Sequence, residues 1–270
     1  MGISRVRTPL FDLLVNWLCV TLLPVNDQNE IRANLARVRE RIAAAALRAG
    51  RDPGEVTLVA ITKTHPAHVV MAAYREGLRE FGENRVGEAN AKIPSVREQI
   101  PLPDRPRWHM VGHLQRRKAR LAVALFDIIH AVDSLRLAER IDRMAAESEK
   151  TVPVLLEVNV SGEASKYGFD MSLAAGPEAQ AAFVADVEQI LALPHLRLSG
   201  LMTMAPIVAD PEQARPVFVA LRRLRDELNR RFPEADWREL SMGMTDDFEV
   251  AVEEGATMVR IGRAIFGERE

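Results

Sequence analysis

The sequence predicts an α/β chain folded as a single (β/α)8 TIM barrel with an extra N-terminal helix, and three observations carry that reading. Eight apolar β-like runs occur in order, most are followed by an amphipathic segment, and no second hydrophobic pattern is left over. Alternation alone also fits an open doubly wound sheet. Eight units in ~250 residues, once an N-terminal extension is set aside, favour the closed barrel.

The extra helix is the amphipathic stretch EIRANLARVRERIAAAALRAG, closed by Gly50. The β-like runs are Val56–Thr62, Leu78–Phe81, Trp108–Val111, Ile128–Val132, Val154–Val160, Leu196–Met204, Glu239–Met242 and Met258–Ile261. Between them lie helical segments such as HVVMAAYREG, SLRLAERIDRMAAESEK, EAQAAFVADVEQILAL and PVFVALRRLRDELNRRF. The domain reading is therefore an extension over 1–27, poorly ordered or arising from a start assigned too far upstream, and a barrel over 28–270. The extension holds PLFDLLVNWLCVTLLPV, which is similar to a signal h-region. Asp12 and Asn16 interrupt it, no small-residue cleavage site follows, and it is shorter than the ~20 apolar residues of a spanning helix.

Composition excludes several classes of function. Of 270 residues 47% are hydrophobic and 27% charged, with a net charge of -2, so no global field draws the chain to nucleic acid or anionic membrane. QRRKARLA concentrates four positive charges but interleaves no aromatics, and reads as a solvated helix start. One cysteine, Cys19, excludes a disulfide framework and spaced zinc thiolates, and fits a reducing cytoplasm. His109 and His113 stand four apart on a strand-to-loop segment with no carboxylate or thiolate beside them. They read as structural or cofactor-adjacent, not as a metal site.

In a TIM barrel the chemistry sits at the C-terminal strand ends. Lys63 closes the almost wholly apolar run VTLVAITK, which packs its stem and partly desolvates its ammonium, favouring a neutral nucleophilic amine. A strand-end lysine paired with a carboxylate such as Glu83 is the competing reading. The last two loops, SMGMTDD and RIGRAIFG, shift the balance. Strands seven and eight of barrels frequently carry a phosphate site, Gly243 and Gly262 let backbone amides approach an anion, and Ser241 and Thr245 offer hydroxyls. Thr245-Asp246-Asp247 also reads as the cap and first turn of DDFEVAVEEG. An amine facing a phosphate pocket suggests pyridoxal 5′-phosphate, whose aldehyde condenses with lysine. A sugar-phosphate aldolase also forms a lysine Schiff base but usually needs acid/base carboxylates or tyrosines around the amine, and the chain has only Tyr74 and Tyr167.

The segments AITKTHP, FGENRVGEANAK, WHMVGHLQRRK, EVNVSGEASKYGF, GLMTMAP and LSMGMTDDFEVAVEEGATMVRIGRAIFG resemble, in order, the pyridoxal-phosphate homeostasis protein family, relatives of the alanine racemase N-terminal barrel. The likeness runs from about Glu30 to Gly267. It implies Lys63 as the covalent aldimine (Schiff-base) position, Asn84 lining the cofactor face, and Ser241 and Thr245 as phosphate-side hydroxyls. It further implies Gly262 and Arg263 as the last phosphate loop, and Arg260 near the pyridine nitrogen. A guanidinium there discourages ring protonation and weakens the ring as an electron sink. The chain departs from the family pattern at Arg263, where Thr, Ser or Ala is common, and at Arg117, where Asn is frequent.

A racemase needs two bases on opposite faces of the cofactor, the second commonly a tyrosine from another domain and subunit. The sequence stops at the barrel, and Tyr167 is the tyrosine expected near its mouth, Tyr74 lying in a helix. The expected function is thus a carrier or regulator of pyridoxal 5′-phosphate that affects amino- and keto-acid pools, with a PLP-dependent amino-acid racemase as the alternative and no dedicated catalytic residue. Expected partners are the cofactor and apo PLP-dependent enzymes, with no nucleic acid, no membrane and a monomeric state.

Overall fold

The computed structural model describes residues 25–163, 166–172 and 174–268. Most of the predicted extension therefore lies outside the described residues. Helix α1 (Val25–Arg48) places Ile31, Leu35, Val38, Ile42, Ala45 and Ala46 on one face, all buried. It stops where Gly50 turns left-handed at φ +68. Arg32 pairs with Glu76, Arg41 with Glu249 and Arg48 with Glu253, and Asn34 Nδ2 donates to the Ile265 carbonyl at 3.0 Å. These contacts strap α1 across the first and the last two βα units.

The strands are β1 (Thr57–Ile61), β2 (Glu80–Glu83), β3 (Arg107–Met110), β4 (Ile128–Val132), β5 (Val152–Asn159), β6 (Phe169–Asp170), β7 (Leu196–Met202), β8 (Glu239–Ser241) and β9 (Met258–Ile261). Eight of them pair in parallel in the order β4-β3-β2-β1-β9-β8-β7-β5, and β4 meets β5 to close the ring. All eight predicted runs are barrel strands. The sequence reading missed β6, two residues that pair beside Val158 and Asn159 outside the ring. After β1 to β4 come α2 (Ala67–Arg75), α3 (Val86–Gln99), α4 (Ala119–Leu125) and α5 (Leu135–Ala146). Helices α6 (Gly176–Leu191), α7 (Arg215–Arg231), α8 (Phe248–Glu253) and α9 (Arg263–Phe266) complete the shell.

Two apolar layers result from the alternation of strand side chains. Outward residues such as Phe81, Trp108, Ile129 and Leu156 join the helices in one large core. Inward residues Val59, Ile61, Val111, Ile128, Leu155, Met202 and Met258 fill the barrel itself. Gly200 marks a forced close approach. A Cβ there would lie 1.9 Å from the Glu239 carbonyl oxygen, and its φ of +150 belongs to glycine, at a register shift between β5 and β7. Among the described residues no helix is long and apolar enough to cross a membrane.

Candidate functional site

Strand order decides which predicted residues meet. Ring neighbours β8, β9, β1 and β2 carry, at or just beyond their C-terminal ends, Ser241 and Thr245, then Arg260, Gly262 and Arg263, then Lys63, then Asn84. All seven candidates therefore share one side of the barrel mouth. Lys63 and Asn84 are half-buried, as are Thr245 and Gly262. Gly262 passes close under the end of β1, where a Cβ would stand 3.2 Å from the Ile61 carbonyl oxygen. The loop after β1 is tied to the loop after β9 by the rings of His65 and Phe266, 5.0 Å apart.

Lys63 sits in a tight turn in which the His65 amide donates to the Thr62 carbonyl at 3.0 Å. Thr64, just after it, adopts φ +70. A non-glycine residue in that region costs about 1 kcal/mol or more, which surrounding contacts must offset. Glu83, the carboxylate considered as a partner for Lys63, accepts from Thr62 Oγ1 at 2.6 Å and from Lys92 Nζ at 2.5 Å.

Two candidates depart from the expected placement. Ser241 is fully buried, and its hydroxyl is committed to the barrel interior, 2.7 Å from Arg260 Nη1 and 2.9 Å from His130 Nδ1. The strand alternation explains this, since Ser241 points inward with Arg260 while Met242 points to the outer core. Arg263 is exposed and its Nη2 donates to both carboxylate oxygens of Asp246, so its guanidinium is engaged by the neighbouring loop. The helix cap also moves: α8 begins at Phe248, and Asp247, not Thr245, holds the turn by accepting from the Met244 amide at 2.6 Å.

Arg260 is the electrostatic centre of this wall. Its Nη2 donates to the Thr203 carbonyl at 2.8 Å and its amide to the Gly243 carbonyl at 3.0 Å. Burial lowers its pKa to about 10, against the pull of Asp247 and Glu157. Below it runs a polar chain that the sequence reading missed. His130 Nε2 lies 2.8 Å from His109 Nδ1, and His109 Nε2 lies 2.7 Å from Glu80, which Arg107 also pairs. Burial, then His109 and Arg260, holds the His130 pKa well below 6.5, so its ring is neutral. A guanidinium only donates. Satisfying every member then assigns one direction of donation, Arg260 to Ser241 to His130 to His109 to Glu80.

On the far side of the mouth Glu157 is buried with Oε2 unpartnered. Burial, with Asp133 nearby, raises its pKa from 4.5 to about 7 against the pull of Arg260. Asp133 also lies 3.1 Å from His113, whose ring stacks on Tyr167 at 3.8 Å. His109 and His113 thus belong to different environments, one interior and one on the rim. The sign of the Glu157 effect follows from linkage. The folded state binds more protons than the unfolded chain between pH 4.5 and about 7, so this group lowers stability as pH rises through that window. Glu157→Gln should therefore gain up to about 3 kcal/mol over wild type in urea titrations of the apo protein at pH 8, and little near pH 4.5.

Comparisons with known proteins establish the family and the fold. Residues 27–270 match the family model described as alanine racemase, N-terminal domain. Alanine racemase of Clostridium difficile shares the fold at a TM-score of 0.64 and 13% identity, over 89% of this chain and 56% of that one. The pyridoxal phosphate homeostasis protein of Aquifex aeolicus is 42% identical over 236 residues, 87% of this chain and 97% of its own. PipY of Synechococcus elongatus, solved with PLP bound, has a TM-score of 0.71 and 39% identity, covering 85% of this chain and 100% of that one. The fold thus defines an alanine racemase N-terminal-type barrel. Within that class, the chain belongs to the pyridoxal phosphate homeostasis protein family.

Proposed function

We propose that this protein binds pyridoxal 5′-phosphate at the barrel mouth, holds it covalently through Lys63, and acts as a carrier and regulator of the cofactor that affects amino- and keto-acid pools. The observation that carries the reading is the contiguity of β8, β9, β1 and β2, which makes neighbours of the strand ends that carry a half-buried lysine, a buried arginine and two glycine-bearing loops. The relatives' names and the PLP-bound PipY structure support the choice of ligand.

The residues fit the group. Thr245 with the backbone around Gly262 would take the phosphate, the absence of a Cβ at Gly262 letting that loop lie close against the end of β1 beside Lys63. Asn84 would line the ring face, and Arg260 would face the pyridine nitrogen, with Ser241 fixing the guanidinium from below. Arg263 would act one step out, holding the phosphate loop to Asp246. When bound, the cofactor supplies an aldehyde carbon that a neutral primary amine attacks with loss of water.

Holding, not turnover, is supported by Arg260, whose guanidinium would disfavour protonation of a pyridine nitrogen facing it. Transfer to apo enzymes, a cytoplasmic setting and a monomeric state belong to the same proposal. Loaded protein mixed with an apo PLP-dependent enzyme should restore that enzyme's activity while its own visible band declines. Incubation with L- or D-alanine should give no sustained isomer exchange. Steady racemisation would replace the carrier reading with an enzymatic one.

A further inference from the structure

The turn that presents Lys63 is held by side chains outside the mouth. Lys92, on α3, is buried at 6% exposure although it is a lysine. Its ammonium donates to the Thr62 carbonyl at 2.7 Å, to Glu83 Oε1 at 2.5 Å and to Glu88 Oε1 at 3.0 Å. Glu88, one helical turn earlier on α3, also accepts the backbone amide of Thr64. Glu83 Oε1 accepts the Thr62 hydroxyl as well. The residues immediately before and after Lys63 are therefore both bonded to a single Lys92–Glu88 pair.

A buried ammonium is retained only where it finds charged or carbonyl partners, and three acceptors use its three hydrogens. The arrangement is built around the backbone at 62–64 and not around a ligand. It also explains how Thr64 stays in a left-handed conformation without glycine, since its amide is fixed by Glu88 and the carbonyl two residues earlier by Lys92.

We infer that Lys92 and Glu88 are positioning residues that hold the 62–64 turn so that the Lys63 amine meets an aldehyde in the mouth. The inference rests on the reading of Lys63 as the covalent position. It separates two contributions to affinity: ring and phosphate contacts, which need no amine, and covalent capture, which needs the amine in place.

The test compares pyridoxal 5′-phosphate with pyridoxine 5′-phosphate, the alcohol that cannot condense with an amine, using full-length protein. Lys92→Met should weaken the aldehyde by about tenfold, equivalent to one lost charge-assisted hydrogen bond, and leave the alcohol within about twofold. Lys92→Arg, which keeps a cationic donor, should recover most of that loss. Glu88→Ala, a half-buried change that leaves Lys92 and Glu83 paired, should show the same selectivity at about threefold, and decides the matter if Lys92→Met does not fold. Equal weakening of both ligands, or of neither, overturns the positioning role. If wild type and Lys63→Ala bind the aldehyde equally well, the reading of Lys63 itself fails.

Discussion

Lys63→Ala should leave the barrel folded and remove covalent capture of pyridoxal 5′-phosphate. The residue follows β1 in a turn, its stem only half-buried, and the strand ladder does not use its side chain. Loss of the side chain should leave a single cooperative urea transition, because no strand pairing runs through it. The phosphate and ring contacts stay, so binding weakens without vanishing. The expected loss is at least about a hundredfold, near 2.7 kcal/mol, with disappearance of the visible absorption band. Absorbance titration and urea denaturation on the same sample measure both. A coloured variant with unchanged affinity would place the amine elsewhere.

The second large effect is on stability. Arg260→Met fills the space with an apolar chain but leaves Ser241 and the Thr203 carbonyl without their donor, and Asp247 and Glu157 without the nearby positive charge. Truncating a buried, paired charge costs about 3 to 5 kcal/mol. Two things moderate it here. The guanidinium itself is desolvated, which lowers its pKa, and Glu157 can take up a proton, because its pKa is already near 7. The expected loss at pH 7 is therefore about 2 to 3 kcal/mol. Glu157→Gln in the same background should restore about 1 kcal/mol, since the carboxylate no longer needs a cation. A single variant as stable as wild type would mean that Arg260 does not hold the interior chain together.

The strand framework was legible because most barrel strands lie in short, largely apolar runs, and the ends of β1, β8 and β9 are marked by Lys63, Gly243 and Gly262 in the chain itself. Strand β6 left no such trace, having two residues and pairing only at its edge. The interior was harder to read. Glu157 in VLLEVNV and His130 in IIHAV interrupt apolar runs, and that interruption was the available signal for a polar interior. Their partners, however, come from other strands: His130 meets Ser241, 111 residues later. Ser241 stands at the expected strand end, but alternation along β8 turns its hydroxyl inward to Arg260 and His130, which the segment SMGM does not reveal by itself. Lys92 looks like any helix-surface lysine until α3 is packed against β1 and β2.

The most direct measurement is borohydride reduction of the loaded protein, followed by proteolysis and mass spectrometry of the peptides. A pyridoxyl mass on Lys63 alone, absent from Lys63→Ala, is the predicted result. A pyridoxyl group on Lys92 or Lys166, or no fixed cofactor at all, would contradict the account.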